Sequence, residues 1–192
     1  MDKSTRCFGN KDPLMAEYHD TEWGVPLHDD KELFGLIILE GAQAGLSWRT
    51  ILHRREAYRE AYAGFDPEKV AGFAFDRLED IRLNSGIIKN KLKITSAVKN
   101  AKGFLDVQRE YGSFDKYLWG YVDFDPVMNA YSRWREVPVE TDLSNQISSD
   151  LRKRGFTFIG PKIMYAYMQS VGMVNDHLTS CFRYQEIVDE YG

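Results

Sequence analysis

The chain has 192 residues, enough for one domain with a sizeable core. Its 43% hydrophobic and 28% charged residues are typical of a soluble globular protein, and no apolar run approaches the length of a membrane span. The net charge of −4 weakly disfavours nucleic acid as a partner, while 14% aromatic residues favour a ring-lined pocket in addition to a core. The first residues, MDKSTRCFGNKDP, lack the apolar segment of a secretory signal, so we expect a cytoplasmic protein.

Helical periodicity runs through the sequence in chain order. Residues 29–39 begin with two aspartates, which can cap a helix, and continue as a strongly apolar helix. Residues 46–63 predict a second helix, and after it Asp66 as N-cap and Pro67 at the first helical position begin another. Further helices are predicted at 76–83, 88–109, 113–120, 143–154 and 161–172. Because the alternation typical of strands is scarce, the sequence predicts an all-α fold in a single domain, residues 1–192.

A glycine-bearing turn, residues 155–160 (GFTFIG), separates the last two predicted helices. Pro161 is well placed at the first position of the second helix. Such a turn can direct backbone N–H groups at a DNA phosphate, but an ordinary αα-hairpin has the same pattern. Basic clusters at 53–55, 89–102 and 152–154 leave a local phosphate-binding face open, although a solvated helix face explains each of them as well.

Two cysteines and two histidines near the two ends of the chain predict a metal site. Cys7 and His19 lie near the start, and His177 and Cys181 near the end. The i, i+4 spacing of the second pair would place both side chains on one face of a helix. Together the four would form a closed tetrahedral zinc site without an open position for substrate. Two buried inert thiols are an alternative, and a disulfide is disfavoured by the absence of a secretory signal.

Glu40 is the most unusual single residue. It follows a strongly apolar helix and precedes Gly41, a poor place for a solvated charge. A buried carboxylate is costly unless it is paired or hydrogen-bonded, so the position predicts either a functional carboxylate or a salt bridge at the end of the helix.

Several collinear blocks resemble the DNA-3-methyladenine glycosylase I family. They are DPL (12–14), YHD (18–20), EWGVP (22–26), LEGAQAGLSW (39–48), and NDH (175–177) followed by Cys181. GII (86–88), and KRGF (153–156) with Gly160, match further blocks in order. The resemblance extends from Cys7 to about Phe182. It implies a helix-hairpin-helix glycosylase fold and an enzyme that hydrolyses the N-glycosidic bond of 3-methyladenine in alkylated double-stranded DNA. It also implies a structural zinc ion, held by Cys7, His19, His177 and Cys181, that joins the termini.

The resemblance also assigns roles within a base pocket. Glu40 and Tyr18 would be catalytic, with Glu40 recognising the adenine edge and opposing the cationic ring. Trp48, Trp23, Met15 and Phe8 would bind the base; without the resemblance, core packing explains such rings better. Met15 stands where a tyrosine is common in the family, and residues 8–9 stand where a tryptophan is often found. Both departures bear on the balance between 3-methyladenine and 3-methylguanine.

The remaining expectations concern DNA. Gln43 or Leu46, on a turn of small residues that includes Gly45, would fill the gap left by a flipped nucleotide, and Gly160 and Lys162 would contact the duplex. Asp176 follows the second hairpin helix, where related glycosylases have a catalytic aspartate, but support of His177 is as plausible. We expect a monofunctional enzyme that acts as a monomer and forms no Schiff base. The alternative is a zinc-stabilised module that binds lesions or nucleic acid without catalysis.

Overall fold

The computed structural model describes residues 5–192, which form a mostly helical domain. The α-helices are α1 (Pro13–Thr21), α2 (Asp30–Gln43), α3 (Trp48–Leu52), α4 (Arg55–Ala61), α5 (Pro67–Ala71), α6 (Phe75–Asn84), α7 (Lys91–Tyr111), α8 (Phe114–Trp119), α9 (Asp142–Lys153), α10 (Pro161–Ser170) and α11 (Phe182–Tyr191). Short 3-10 helices cover Ala63–Phe65, Gly120–Val122 and Trp134–Glu136. Within residues 5–192, no helix combines the length and apolar content that a membrane crossing requires.

Side-chain caps fix several helix starts where the sequence predicted them. Asp29 accepts a hydrogen bond from Glu32 N and begins α2, and Asp66 accepts from Glu68 N and Lys69 N ahead of Pro67 in α5. Asp12 caps α1 in the same way, a helix that the sequence pattern did not predict. The all-α expectation is accurate except for one pair of two-residue parallel strands, β1 (Val127–Met128) and β2 (Val174–Asn175).

The single helix predicted at 46–63 is wrong. The chain forms α3 and α4 there, separated at His53 and Arg54, where Arg54 has φ −111° and ψ 4°. This turn lets each short helix direct its own apolar residues inward, Ile51 and Leu52 from α3 and Tyr58 and Ala61 from α4. Burial of apolar area outweighs the continuity of a solvated helix.

The main core surrounds α2, which contacts α3, α4, α7, α8 and α10. Leu33, Phe34 and Ile37 of α2 are almost completely buried there. A second, smaller apolar cluster contains Tyr18, Trp23 and Leu52, and packs under the N-terminal segment. The last turn of α2 therefore lies between two apolar regions, which explains how a charged residue at that point becomes buried.

The predicted helix over His177 and Cys181 is also wrong. Strand β2 ends at Asn175, whose Oδ1 accepts a hydrogen bond from His177 N, and the chain then continues as a turn with Cys181 N donating to Leu178 O. Cys181 is the residue that precedes α11. The segment is held by the Asn175 side chain and by Thr179 N, which donates to Tyr131 O, so the local spacing does not produce a helix.

Candidate active site

One cavity of about 230 Å³ lies between α1, the end of α2, the start of α3 and α10. All six residues predicted for catalysis and base binding line it, as does Gln43. Four further lining residues were not predicted by the sequence: Trp134, Ala166, Gln169 and Ser170. The tertiary structure therefore brings segments from five parts of the chain to one concave, aromatic surface.

Glu40 lies near the end of α2 and is only 2% exposed. Its Oε1 accepts a 2.6 Å hydrogen bond from Ser170, whereas Oε2 has no partner among the described residues. Burial raises the pKa of this carboxyl from 4.5 to about 7, although the Ser170 hydrogen bond opposes the shift. The second sequence interpretation, a salt bridge at the helix end, does not hold, since no described basic side chain pairs with Glu40. Oε2 is available to accept a hydrogen bond from a ligand.

A buried hydrogen-bond chain leads from Tyr18 to Glu40. The Tyr18 hydroxyl donates to Ser170 Oγ at 3.1 Å, and Ser170 donates to Glu40. Burial, followed by the charge of Glu40, raises the pKa of Tyr18 well above its usual value, so the phenol remains a donor. These two hydrogen bonds orient the Glu40 carboxylate. Ser170 carries no sequence signal, because a serine near the end of a helix is common and its partner is 130 residues away.

Aromatic side chains form the walls around this carboxylate. The Tyr18 and Trp48 rings have centroids 5.4 Å apart, and Phe8 and Trp23 meet edge to face at 5.1 Å. The Trp48 Nε1–H is buried without a hydrogen-bond partner in residues 5–192. Together with Glu40 Oε2, it gives the cavity one donor and one acceptor that a flat heteroaromatic ligand can satisfy.

A larger cavity of about 340 Å³ shares Tyr18 and Ser170 with the first, but Glu40 does not line it. The charged groups along it pair with one another: Arg55 with Glu22 at 2.5 Å and Arg59 with Glu32 at 3.0 Å. Because these charged groups already pair with one another, this cavity offers a ligand fewer free polar groups than the cavity that Glu40 lines.

The turn after α2 is exposed, and a lysine of α7 binds its backbone. Gly45 has φ +78° with open space around it, and Leu46 is 39% exposed. Lys93 of α7 donates from Nζ to the carbonyl oxygens of Ala42 and Ala44, at 2.8 and 2.5 Å. This lysine, counted in the sequence among a basic surface cluster, instead caps the end of α2 and fixes the turn that carries Leu46.

The hairpin between α9 and α10 forms at the predicted place. Gly155 has φ +89°, which favours glycine, and Gly160 precedes Pro161 and Lys162 at the start of α10. Asn100 holds the loop by donating to Thr157 O and accepting from Thr157 N. Lys162 is exposed. The hairpin and the turn at Gly45 thus present backbone and a cation to solvent without intervening side-chain bulk.

Cys7, His19, His177 and Cys181 converge despite the absence of the predicted helix. Their ligand atoms all lie within 4.8 Å of one another. Cys181 Sγ is 3.3 Å from His19 Nε2 and 3.6 Å from His177 Nδ1, which is 3.7 Å from Cys7 Sγ. A tetrahedral zinc ion with bonds of about 2.0–2.3 Å requires ligand separations of about 3.3–3.8 Å. The donor set and these three separations fit such an ion.

The other ring nitrogen of each histidine is engaged. His19 Nδ1 lies 2.8 Å from Asp20 Oδ1, and Asp20 is itself bound by Arg6 through two 2.7 Å hydrogen bonds. His177 Nε2 lies 2.9 Å from the carbonyl oxygen of Trp23. Both acceptors require a proton on the outer nitrogen, which leaves the inner nitrogen unprotonated, as a metal ligand must be.

Asp176 is completely buried but does not line the cavity. Its carboxylate accepts hydrogen bonds at 2.7 Å from Asn129, Tyr165 and Gln169. Because three side-chain donors hold this carboxylate, Asp176 positions Asn129, Tyr165 and the cavity residue Gln169. A direct catalytic role has no geometric support here.

The fold and the site define a helical domain with an aromatic-lined cavity beside a buried carboxylate. The sequence profile of methyladenine glycosylases matches residues 8–184, and the chain belongs to this family.

Two relatives of known name align with almost the full length of this chain. The chain is 43% identical to a DNA-3-methyladenine glycosylase from Haemophilus influenzae, with 93% of this chain and 97% of the relative covered. It is 42% identical to DNA-3-methyladenine glycosylase 1 from Escherichia coli, with 93% and 96% covered. A solved variant of 3-methyladenine DNA glycosylase I in complex with 3-methyladenine matches with a TM-score of 0.90 and 38% identity, covering 95% of this chain and 97% of the other. The resemblance seen in the sequence is confirmed.

Proposed function

We propose that the protein removes 3-methyladenine from alkylated double-stranded DNA by hydrolysing its N-glycosidic bond. The observation that carries the proposal is the unpartnered Oε2 of Glu40 inside an aromatic cavity. A 3-methylated adenine nucleotide is cationic, so its base departs as a neutral molecule and needs no strong general acid. A buried carboxylate can oppose the positive charge of the base and then that of the oxocarbenium-like sugar.

The cavity also accounts for recognition. Aromatic faces attract a cationic ring by about 0.5–2 kcal/mol per contact, and Tyr18, Trp48 and Trp23 supply such faces. The bound cation would lower the raised pKa of Glu40 and keep it ionised in the complex. Because the base of a duplex cannot reach a recessed cavity, the proposal includes flipping of the nucleotide out of the stack. We propose a monofunctional reaction, without a Schiff base, carried out by a monomer.

The direct test is chromatography of the bases released from methylated duplex DNA. We expect selective release of free 3-methyladenine by the wild-type protein, and little release of 7-methylguanine. Binding to the methylated duplex without any base release would contradict the proposal and support the alternative, a zinc-stabilised lesion-binding module.

We propose that two exposed features contact DNA. One is the hairpin of helix-hairpin-helix type that carries Gly160 and Lys162, and the other is the turn at residues 43–46. Helix N-termini and open glycine turns bind backbone phosphates, while a side chain at the turn can occupy the gap in the stack. Gln43 lines the cavity and Leu46 is exposed beside it, so both can reach a disrupted base step.

Replacing both Gln43 and Leu46 by alanine should weaken binding to lesion-containing duplex about tenfold, since the flipped state loses the side chains that fill its gap. Affinity is measured by fluorescence anisotropy with a duplex that contains a stable analogue of the lesion. Leu83→Ala removes a leucine that is 55% exposed on α6 and serves as the control. Equal affinity of the double variant and the control would rule out the gap-filling role.

We also propose that Cys7, His19, His177 and Cys181 hold a structural zinc ion that joins the two ends of the domain. Two thiolates and two imidazoles fill a tetrahedral sphere, so the ion would stabilise the fold and leave no position for substrate. The convergence of four ligand atoms and the engaged outer histidine nitrogens support this proposal.

A further inference from the structure

Trp134 lines the base cavity from a segment that no sequence pattern marked as functional. It begins the short 3-10 helix Trp134–Glu136, far along the chain from the other aromatic walls, and is 43% exposed. Its position at the border of the cavity, beside the other aromatic walls, allows the exposed part of the ring to contact a bound base.

The segment that carries Trp134 is held in place at several points. The Glu136 carboxylate accepts hydrogen bonds from Ser132 N and Arg133 N, at 2.9 and 3.2 Å, which closes the turn. Upstream, Asn129 donates to buried Asp176, and Thr179 N donates to Tyr131 O. The tryptophan therefore extends from a fixed loop.

The indole itself makes specific contacts with the N-terminal wall of the cavity. Its Nε1–H donates a 3.1 Å hydrogen bond to Cys7 O, which sets the ring orientation. The ring centroid lies 6.4 Å from that of Phe8 and 6.1 Å from that of Trp23. Phe8, Trp23 and Trp134 thus form one continuous aromatic wall, to which Trp134 adds the outermost ring.

We propose that Trp134 is a specificity-determining residue that contacts the methylated base at the entrance of the cavity and favours a cationic ring over a neutral one. This inference rests on the proposed glycosylase function. Among aromatic side chains, indole attracts cations most strongly, whereas a neutral adenine gains only the ordinary contact. The third ring also makes up for the small contact area of Phe8, which is the smallest ring of this wall.

The test compares kcat/KM for 3-methyladenine release by the wild type with that of three variants. Trp134→Ala and Trp134→Leu should each lose about tenfold, because leucine restores apolar volume but no aromatic face. Trp134→Phe retains a ring and loses the hydrogen bond to Cys7, so it should recover most of the rate. Affinity for unmodified duplex should be the same in all four proteins.

Phe124→Ala is the matched control, since Phe124 is 55% exposed, belongs to the same inter-helix segment and does not line the cavity. Equal rates for Trp134→Leu and the wild type would overturn the inference. So would a loss in Trp134→Phe as large as in Trp134→Ala, since it would place the effect in the hydrogen bond to Cys7. If the wild type releases no methylated base, the proposed function itself fails, whatever the variants do.

Discussion

Glu40→Gln should lower the rate of 3-methyladenine release about 100-fold while leaving the protein folded. The substitution keeps the size of the side chain but removes the negative charge from a buried position in the cavity wall. Loss of one preorganised electrostatic group in such a site costs about 10²–10³ in rate. Release is measured by chromatography of free base under single-turnover conditions, which isolates the chemical step from product dissociation.

The pH dependence of the wild type follows from the same carboxyl. Burial raises the Glu40 pKa to about 7 in the free protein, so kcat/KM should fall as the pH decreases below about 7. The acid limb of kcat should lie at lower pH, because the bound cation favours the ionised form. Glu40→Gln should show neither limb. A variant with the wild-type rate and profile would refute the role of Glu40.

The same substitution should stabilise the protein at alkaline pH. Below pH 4.5 the carboxyl is protonated in both the folded and the unfolded chain. Between about pH 4.5 and 7 the unfolded chain releases the proton and the folded chain retains it, so stability decreases as the pH rises. At pH 8 the full cost is about 3 kcal/mol, which Glu40→Gln removes in part. Denaturant unfolding at pH 8 and pH 4 measures the difference; Glu56→Gln, at a solvated position, is the control.

If the proposed zinc ion is bound, its removal should lower the melting temperature by about 10–20 °C. The cluster closes a loop between residues 7 and 181, and cross-linking a loop of that length contributes about 5 kcal/mol. For a domain of this size, each kcal/mol corresponds to about 2–4 °C. The measurement is calorimetry of the zinc-loaded protein, the chelator-treated protein and Cys181→Ser, together with the zinc content of each.

Asp20→Asn provides a graded control for the proposed zinc site. It keeps all four ligands but weakens the acceptor beside His19 Nδ1, and loss of such a partner typically costs 10–100-fold in metal affinity. Its melting temperature should lie between those of the zinc-loaded wild type and Cys181→Ser, and should recover with added zinc. If the chelator-treated protein had the same melting temperature as the zinc-loaded wild type, the structural role of the ion would be contradicted. A stripped protein that is fully folded yet inactive would contradict the separation of metal and catalysis.

The sequence predicted helix starts and turns correctly where a few adjacent residues determine the backbone conformation. The Asp66–Pro67 start and the hairpin glycine at Gly155 follow from capping geometry and backbone conformation, which depend on a few adjacent residues. The helix predicted over His177 and Cys181 failed because hydrogen bonds to the Asn175 side chain and to the distant Tyr131 carbonyl hold the backbone there. The continuous helix at 46–63 failed because two short helices bury more apolar surface than one.

The sequence by itself determined a mostly helical domain, the unusual position of Glu40 and the collinear blocks that identify the family. Only the tertiary structure decided what surrounds Glu40, because Ser170 and Trp134 reach the cavity from segments about 90 to 130 residues away. It also decided that Lys93 supports a turn instead of facing solvent. Helix periodicity depends on neighbours in the chain, whereas desolvation, pKa and hydrogen-bond partners depend on neighbours in space, and a single sequence carries no direct record of those.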